Sequence, residues 1–254
     1  MSNALYVYGI VKNGPNFKYN GIGLNGESVY TLKQEEFSAL VHDCEEKPYI
    51  SEDPNKIKEL IIAHNNILSK AMEDFKGVMP SPFNTIIKGG ENSAEDNLKK
   101  WLNDSKERLE RIWDKIKGKK EYGIRIYYEK EKLMQQASNS TEIKEIEESR
   151  EGKGEGLSYL LKGKASYKTN EIIQNRINQF KQEFYDEIRL TADDIKANAS
   201  RISINEEKDL LLGLSILIDE ERIDKIKRIL EKNKDFSSQL AGPFAPYSFV
   251  EKWT

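Results

Sequence analysis

Three groupings in this chain combine residue types and spacings that could do chemistry. The sequence Gly21-Ile22-Gly23-Leu24-Asn25-Gly26 spells a dinucleotide-binding fingerprint. That motif works when a helix starts at the third glycine and aims its N-terminal amides at a pyrophosphate. Here Glu27-Ser28-Val29-Tyr30-Thr31 follows, which reads as strand, so a glycine turn is expected instead. Gly152, Gly154 and Gly156 lack the spacing of a phosphate loop and are not followed by the Lys-Ser/Thr pair such a loop needs.

The second grouping is His42-Asp43-Cys44, with His64 as the only other histidine. A closed zinc site takes four ligands, and two histidines with one cysteine reach that number only with an added carboxylate. No ligand spacing supports it, and no third group is placed to orient a Cys–His nucleophile. His64 falls on the apolar stripe of a helix, where a satisfied core or interface histidine is expected. The third grouping is the carboxylates. They sit among lysines on helical faces, where solvated pairs four residues apart account for them. No acid–base pair stands out, and the chain reads as no enzyme.

The elements around these residues carry more information. With 254 residues, 40 basic and 43 acidic side chains and a mean hydropathy of -0.71, the chain reads as a soluble, well-solvated protein. The charges are interleaved, with no basic patch for nucleic acid. No apolar run reaches the length of a membrane span, and no basic region precedes the apolar part of Met1–Tyr8, so neither a span nor a secretory leader is expected. One cysteine excludes an intrachain disulfide and fits a cytoplasmic location.

Asp209–Asp219 is the stretch on which the C-terminal half depends. Seven of its nine inner residues are Leu or Ile, and both alternating faces are largely apolar, as in a central strand covered on two sides. Gly213 and Ser215 thin one face, which suggests close packing there by a helix. Strands are expected at Leu5–Val11, Val29–Leu32, Phe37–Val41, within Val78–Ile87, and at Tyr122–Tyr128, Ala199–Asn205 and Phe236–Ala241. Helices are expected from Pro54 to Gly77 and from Ser93 to Gly118. Others are expected over Lys130–Ser149, weakly over Leu157–Leu161, strongly from Asn170 with a stripe reaching Ile195, and around Ile223–Leu230.

These elements divide the chain into residues 1–119, a mixed α+β domain, and 120–242. The second runs strand, helices, strand, strand, helix, strand, the βαββαβ order of a ferredoxin-like domain with extra helices. Residues 243–254 form an aromatic tail, Gly242-Pro243-Phe244-Ala245-Pro246-Tyr247-Ser248-Phe249 and onward to Trp253. Its prolines stiffen it, and leaving its aromatics in water costs about 1.5–3 kcal/mol each, so it is expected to pack over the domains.

The opening strand, Ala63-His64 in the first long helix, the segment Val78-Met79-Pro80-Ser81-Pro82-Phe83-Asn84-Thr85, the motif Gly156-Leu157-Ser158-Tyr159-Leu160 and above all the tail resemble the gas vesicle GvpL/GvpF family nearly end to end. The chain departs from the family pattern at Pro82, where Arg is usual, and at Asn84, where Gly is usual. The resemblance implies a non-enzymatic minor component or assembly factor of gas vesicles, with the same α+β architecture and neither cofactor nor metal. It implies contact with the hydrophobic major shell protein and other accessory proteins during nucleation or growth, in the cytoplasm and associated with the vesicle. Candidate partner-contact or interdomain residues are Pro80, Phe83, Phe244, Tyr247, Phe249 and Trp253. Exposed sheet edges near Val78–Ile87 or Ser200–Asn205 could pair with a strand of the shell protein. The competing reading is a cytoplasmic ligand-sensing or regulatory module on a ferredoxin-like fold.

Overall fold

The structure, a computed structural model, describes residues 4–198, 209–233 and 235–251. It is a mixed α+β protein whose backbone groups into two compact units. One comprises residues 1–122 with 242–254, and the other residues 123–241.

The first unit is assembled on β1 (Ala4–Lys12). Every residue from Ala4 to Val11 is buried, so both faces of the strand are covered. β1 pairs antiparallel with β4 (Phe37–Cys44), and β4 pairs with β3 (Val29–Gln34), which pairs in turn with β2 (Lys18–Tyr19). On its other side β1 pairs with β5 (Met79–Pro80) and β6 (Ile86–Lys88). The β1–β4 register slips between Val7 and Gly9, leaving Tyr8 as the extra residue of a bulge. Gly9 allows this crossing, because a Cβ there would lie 2.7 Å from the Met79 carbonyl oxygen.

The helix α1 (Pro54–Phe75) starts at Asp53, whose Oδ1 accepts from the Asn55 amide at 2.9 Å, with Pro54 in the first turn. It buries Leu60, His64, Ile67, Leu68, Ala71 and Met72 against the row containing Tyr6 and Tyr8. The stripe expected from Ser93 to Gly118 is two helices. α2 (Ala94–Asp104) is capped by Ser93, and α3 (Lys106–Ile116) follows a break at Ser105. α2 packs against β1 and β3, and α3 against β5.

In the second unit the strand order is β10-β7-β9-β8. β7 is Lys119–Tyr128, β8 Asp194–Ala197, β9 Asp209–Asp219 and β10 Ser237–Phe244. β9 is an inner strand, and its half from Leu214 to Ile218 is buried on both faces, whereas Leu210 to Gly213 is half-buried. β8 precedes the segment expected as a strand. Ala199–Asn205 lies outside the described residues, and Ile195 belongs to β8 instead of extending the helical stripe. Gly213 is small for a reason other than a covering helix. A Cβ on it would meet the Asn198 carbonyl oxygen at 2.8 Å, so the close approach comes from the end of the neighbouring strand.

The polar stretch expected as one helix over Lys130–Ser149 is α4 (Lys130–Ser138) and α5 (Thr141–Arg150). The two helical segments expected after Gly156 are one, α6 (Glu155–Thr191), which packs on α4, α5 and α7 (Ile223–Glu231). Its Phe180 stacks on Phe236 with ring centroids 4.0 Å apart and on Phe184 at 5.5 Å. Arg176 of α6 and Gln136 of α4 both reach Asp235, holding its carboxyl below the usual carboxylate range, chiefly through the Gln136 hydrogen bond.

Candidate functional site

Both buried histidines of the first unit gather with aromatic side chains around Tyr6. Its ring lies within 4.9 to 6.4 Å of the rings of Tyr8, His42, Tyr49, His64 and Phe83. The alternation of β1 puts Tyr6 on the face that receives α1, and the helical spacing of Leu60, His64 and Leu68 puts His64 over it.

The hydrogen bonds form a chain with one consistent direction. The Asn84 amide donates to the Tyr6 hydroxyl at 3.1 Å, and that hydroxyl lies 2.8 Å from His64 Nδ1. His64 Nε2 lies 3.0 Å from the Tyr247 hydroxyl, which donates to Asn65 Oδ1 at 3.2 Å. Asn65 Nδ2 donates to the Ile61 carbonyl at 2.9 Å, and this fixes the amide so that Oδ1 is the acceptor. A neutral His64 with its proton on Nε2 satisfies every member; the tautomer follows from the network. Burial pulls the His64 pKa down to about 4 and pushes those of Tyr6, Tyr8 and Tyr247 up.

Beside this chain, His42 Nε2 meets the Tyr49 hydroxyl at 2.8 Å while its Nδ1 has no hydrogen-bond partner. Burial lowers the His42 pKa to about 4 and raises that of the Cys44 thiol to about 11. Cys44 is therefore a buried, protonated thiol without the character of a nucleophile. Among the described residues no group of three or more His, Cys, Asp or Glu side chains is placed to hold a metal ion. With both His64 nitrogens engaged by tyrosine hydroxyls, that imidazole ties elements together and has no lone pair left for a substrate proton.

The tail is one of the elements it ties. Residues after Gly242 return to the first unit, where Ala245, Pro246 and Phe249 are buried. Ser248 binds the carboxylate of Glu121 through its amide at 2.8 Å and its hydroxyl at 2.5 Å. Glu121 is itself buried, and Lys115 sits 5.5 Å above the Phe249 ring. Gly242, at φ 135°, lets the chain pass against Tyr122, whose Cδ1 would lie 2.7 Å from an added Cβ.

Of the candidate contact residues, Pro80 is buried in β5, Phe83 is half-buried against the Tyr6 cluster, and Phe249 is buried. Phe244 is 48% exposed and Tyr247 38%, so these two present ring surface outward. Trp253 lies outside the described residues. Asn84, Asn65 and Glu121 were not singled out from the sequence. Asn84 alone gave a signal, as the residue standing where the family pattern has glycine. It sits at φ 67°, in the left-handed region, and clamps Tyr49 with Oδ1 on its amide at 2.8 Å and Nδ2 on its carbonyl at 3.1 Å. The expected glycine turn is present: Leu24–Gly26 is a single 3-10 turn leading to β3, and Gly23 presses against the Tyr8 hydroxyl.

The family model for gas vesicle synthesis protein GvpL/GvpF matches residues 4–251. The chain belongs to the GvpL/GvpF family. Gas vesicle protein L of Haloferax mediterranei is 27% identical over 238 residues, covering 90% of this chain and 72% of that protein. Gas vesicle protein F of a Streptomyces species is 27% identical over 259 residues, covering 97% and 99%. The crystal structure of GvpF from Anabaena superposes with a TM-score of 0.74 at 22% identity, over 98% of this chain and 99% of that one. GvpF from Microcystis aeruginosa gives 0.67 at 19% identity, again over 98% and 99%. The α+β fold is thus shared with GvpF, and a role connected with gas vesicles follows from the family. No helix among the described residues is long and apolar enough to cross a membrane.

Proposed function

We propose that this GvpL/GvpF member is a non-enzymatic assembly factor that works in the cytoplasm on the growing gas vesicle. It holds the hydrophobic major shell protein and other accessory proteins while the shell nucleates or extends. The observation that carries this reading is the match to the family model along residues 4–251. The tail adds a physical element. It is pinned from within by His64 and Glu121 while Phe244 and the Tyr247 ring face outward, the arrangement of rigid aromatic anchors for another polypeptide.

A ferredoxin-like description of the second unit is part of the proposal, supported by the order β10-β7-β9-β8. The margin of the first sheet, where β5 and β6 lie beyond β1, is the proposed place for strand pairing. The expected edge at Ser200–Asn205 lies outside the described residues.

The test is capture of gas vesicle proteins by the tagged chain from cells that are making vesicles. Phe244→Glu should abolish capture through the tail, and Ile87→Pro should abolish capture through the edge, with melting temperatures compared for each. Retention of every partner by both folded variants would count against these surfaces. Catalytic turnover by the purified chain would defeat the assembly reading itself.

A further inference from the structure

His64 makes the deepest polar contact of the tail. The imidazole is 1% exposed, with Tyr6 on Nδ1 and Tyr247 on Nε2. The titratable groups gathered around it are Tyr6 and Tyr8 from β1, His42 and Cys44 from β4, Tyr49 beyond β4 and Tyr247 from the tail. No carboxylate of the described residues is among them, so a charged ring has no counter-charge in the cluster.

A second proton has one place to go on this ring, Nδ1, and that place is taken. Tyr6 donates its hydroxyl proton there while its oxygen accepts from the Asn84 amide. With Nδ1 protonated, the Tyr6 hydrogen loses that acceptor and the cation is held away from water. The charge strengthens the Nε2–H bond to Tyr247, and the Ser81 carbonyl favours the proton, yet burial outweighs both and the ring titrates at about 4.

The cover over the ring is uneven. Tyr6, Tyr8 and His42 are fully buried, whereas Tyr247 is 38% exposed. Moving Tyr6, Tyr8 or His42 aside would break the sheet. Lifting the tail opens the Nε2 edge to water and leaves β1 and β4 paired.

We infer that the tail is a proton-sensitive latch: a proton taken up by His64 releases residues 244–251 from the first unit while the rest of that unit stays folded. The bond from Ser248 to Glu121 gives way in the same opening. It sets how rare the open state is, and His64 sets how that rarity changes with pH. The latch stands without the assembly reading, but it bears on it, because a freed tail no longer holds Phe244 and Tyr247 as rigid anchors. A ring that titrates near 6.5 in water and at about 4 under the tail makes opening roughly twentyfold more frequent at pH 5 than at pH 7.

Hydrogen exchange of the full chain, corrected for the intrinsic pH dependence of amide exchange, tests this. The amide of Ser248, held by Glu121, and that of the buried Phe249 should be far less protected than those of β1 at every pH. Their protection should fall about twentyfold between pH 7 and pH 5. His64→Gln, which cannot titrate, should show tail protection that is flat over that range, with folding checked by melting. Glu121→Gln keeps an acceptor for Ser248 and should retain the twentyfold fall, which makes it the deciding variant where His64→Gln does not fold. Three results overturn the inference: tail protection equal to that of β1, tail protection constant from pH 7 to pH 5, or a pH dependence that survives in folded His64→Gln. A response abolished by Glu121→Gln also overturns it, because the proton would then act on the carboxylate.

Discussion

His64 Nε2 lies 3.0 Å from the hydroxyl of Tyr247, across a separation of 183 residues in the chain. The first belongs to the longest helix of the first unit and the second to the tail that closes it. The bond makes the tail an integral part of this unit. Its direction is set at both ends, by the Asn84 amide behind Tyr6 and by the fixed amide of Asn65 beyond Tyr247.

Removing that hydroxyl tests the tie. Tyr247→Phe keeps the ring but leaves the His64 Nε2–H buried without an acceptor, which costs about 1–3 kcal/mol. Urea unfolding should show the loss, with the slope unchanged. A double-mutant cycle with His64→Phe should return a coupling of about 0.5–3 kcal/mol, and additivity would show that the two side chains do not share a bond.

Acid should weaken the molecule over a defined range. His42 and His64 each have a folded pKa of about 4, depressed by burial, against an ordinary value near 6.5. The unfolded chain therefore takes up protons first as the pH falls. Stability is undiminished by these groups above about pH 6.5, declines from there toward pH 4, and loses nothing further from them below that. Imidazole resonances followed by NMR should stay in the neutral form through pH 5. Titration near 6.5 would show the rings to be solvated.

Asn84 holds a left-handed backbone position and both backbone polar groups of Tyr49. Asn84→Gly keeps the backbone and loses the clamp. Asn84→Val loses the clamp and adds strain from a β-branched residue at positive φ. The valine variant should be the less stable of the two by about 1–2 kcal/mol in thermal or urea unfolding. Equal stabilities would show that the backbone there relaxes freely.

Sequence patterning located the strands well where hydrophobicity was dense, but it did not reveal how fully the first strand is enclosed. Asp209–Asp219 reads as the more apolar, yet Ala4–Val11 is buried along its length, because tyrosines at 6 and 8 are satisfied by a polar network that no period reveals. The breaks at Ser105 and Ser140 were invisible for a similar reason. The apolar stripe continues through Ser105, the polar segment around Ser140 carries no stripe to break, and only local backbone geometry interrupts each helix. The tail's aromatics were legible as packing residues, but Glu121 was not. A carboxylate in a charged segment looks solvated until Ser248 is brought to it from 127 residues away.

The uneven burial of β9 gives a contrast within one strand. Leu214 is fully buried, so Leu214→Ala should cost about 2–5 kcal/mol through lost burial and an unfilled cavity. Leu210 is half-buried, and the same truncation there should cost roughly half of that or less. Equal costs would place both ends of the strand in the same environment.

Gly242 controls how the chain enters the tail, which makes it the sharpest probe of the closure. It stands at φ 135°, and a Cβ would lie 2.7 Å from Tyr122 Cδ1 and 3.0 Å from the Glu121 carbonyl oxygen. Glu121 receives both groups of Ser248, so displacing its backbone moves the anchor as well as the strand. Gly242→Ala should therefore destabilise by about 1–3 kcal/mol and loosen the tail before the rest of the unit unfolds. Limited proteolysis should cut the variant after Phe244 under conditions where the parent chain resists. If cleavage and melting are unchanged, the tail is held without help from this crossing, and the His64–Tyr247 bond alone has to account for its position.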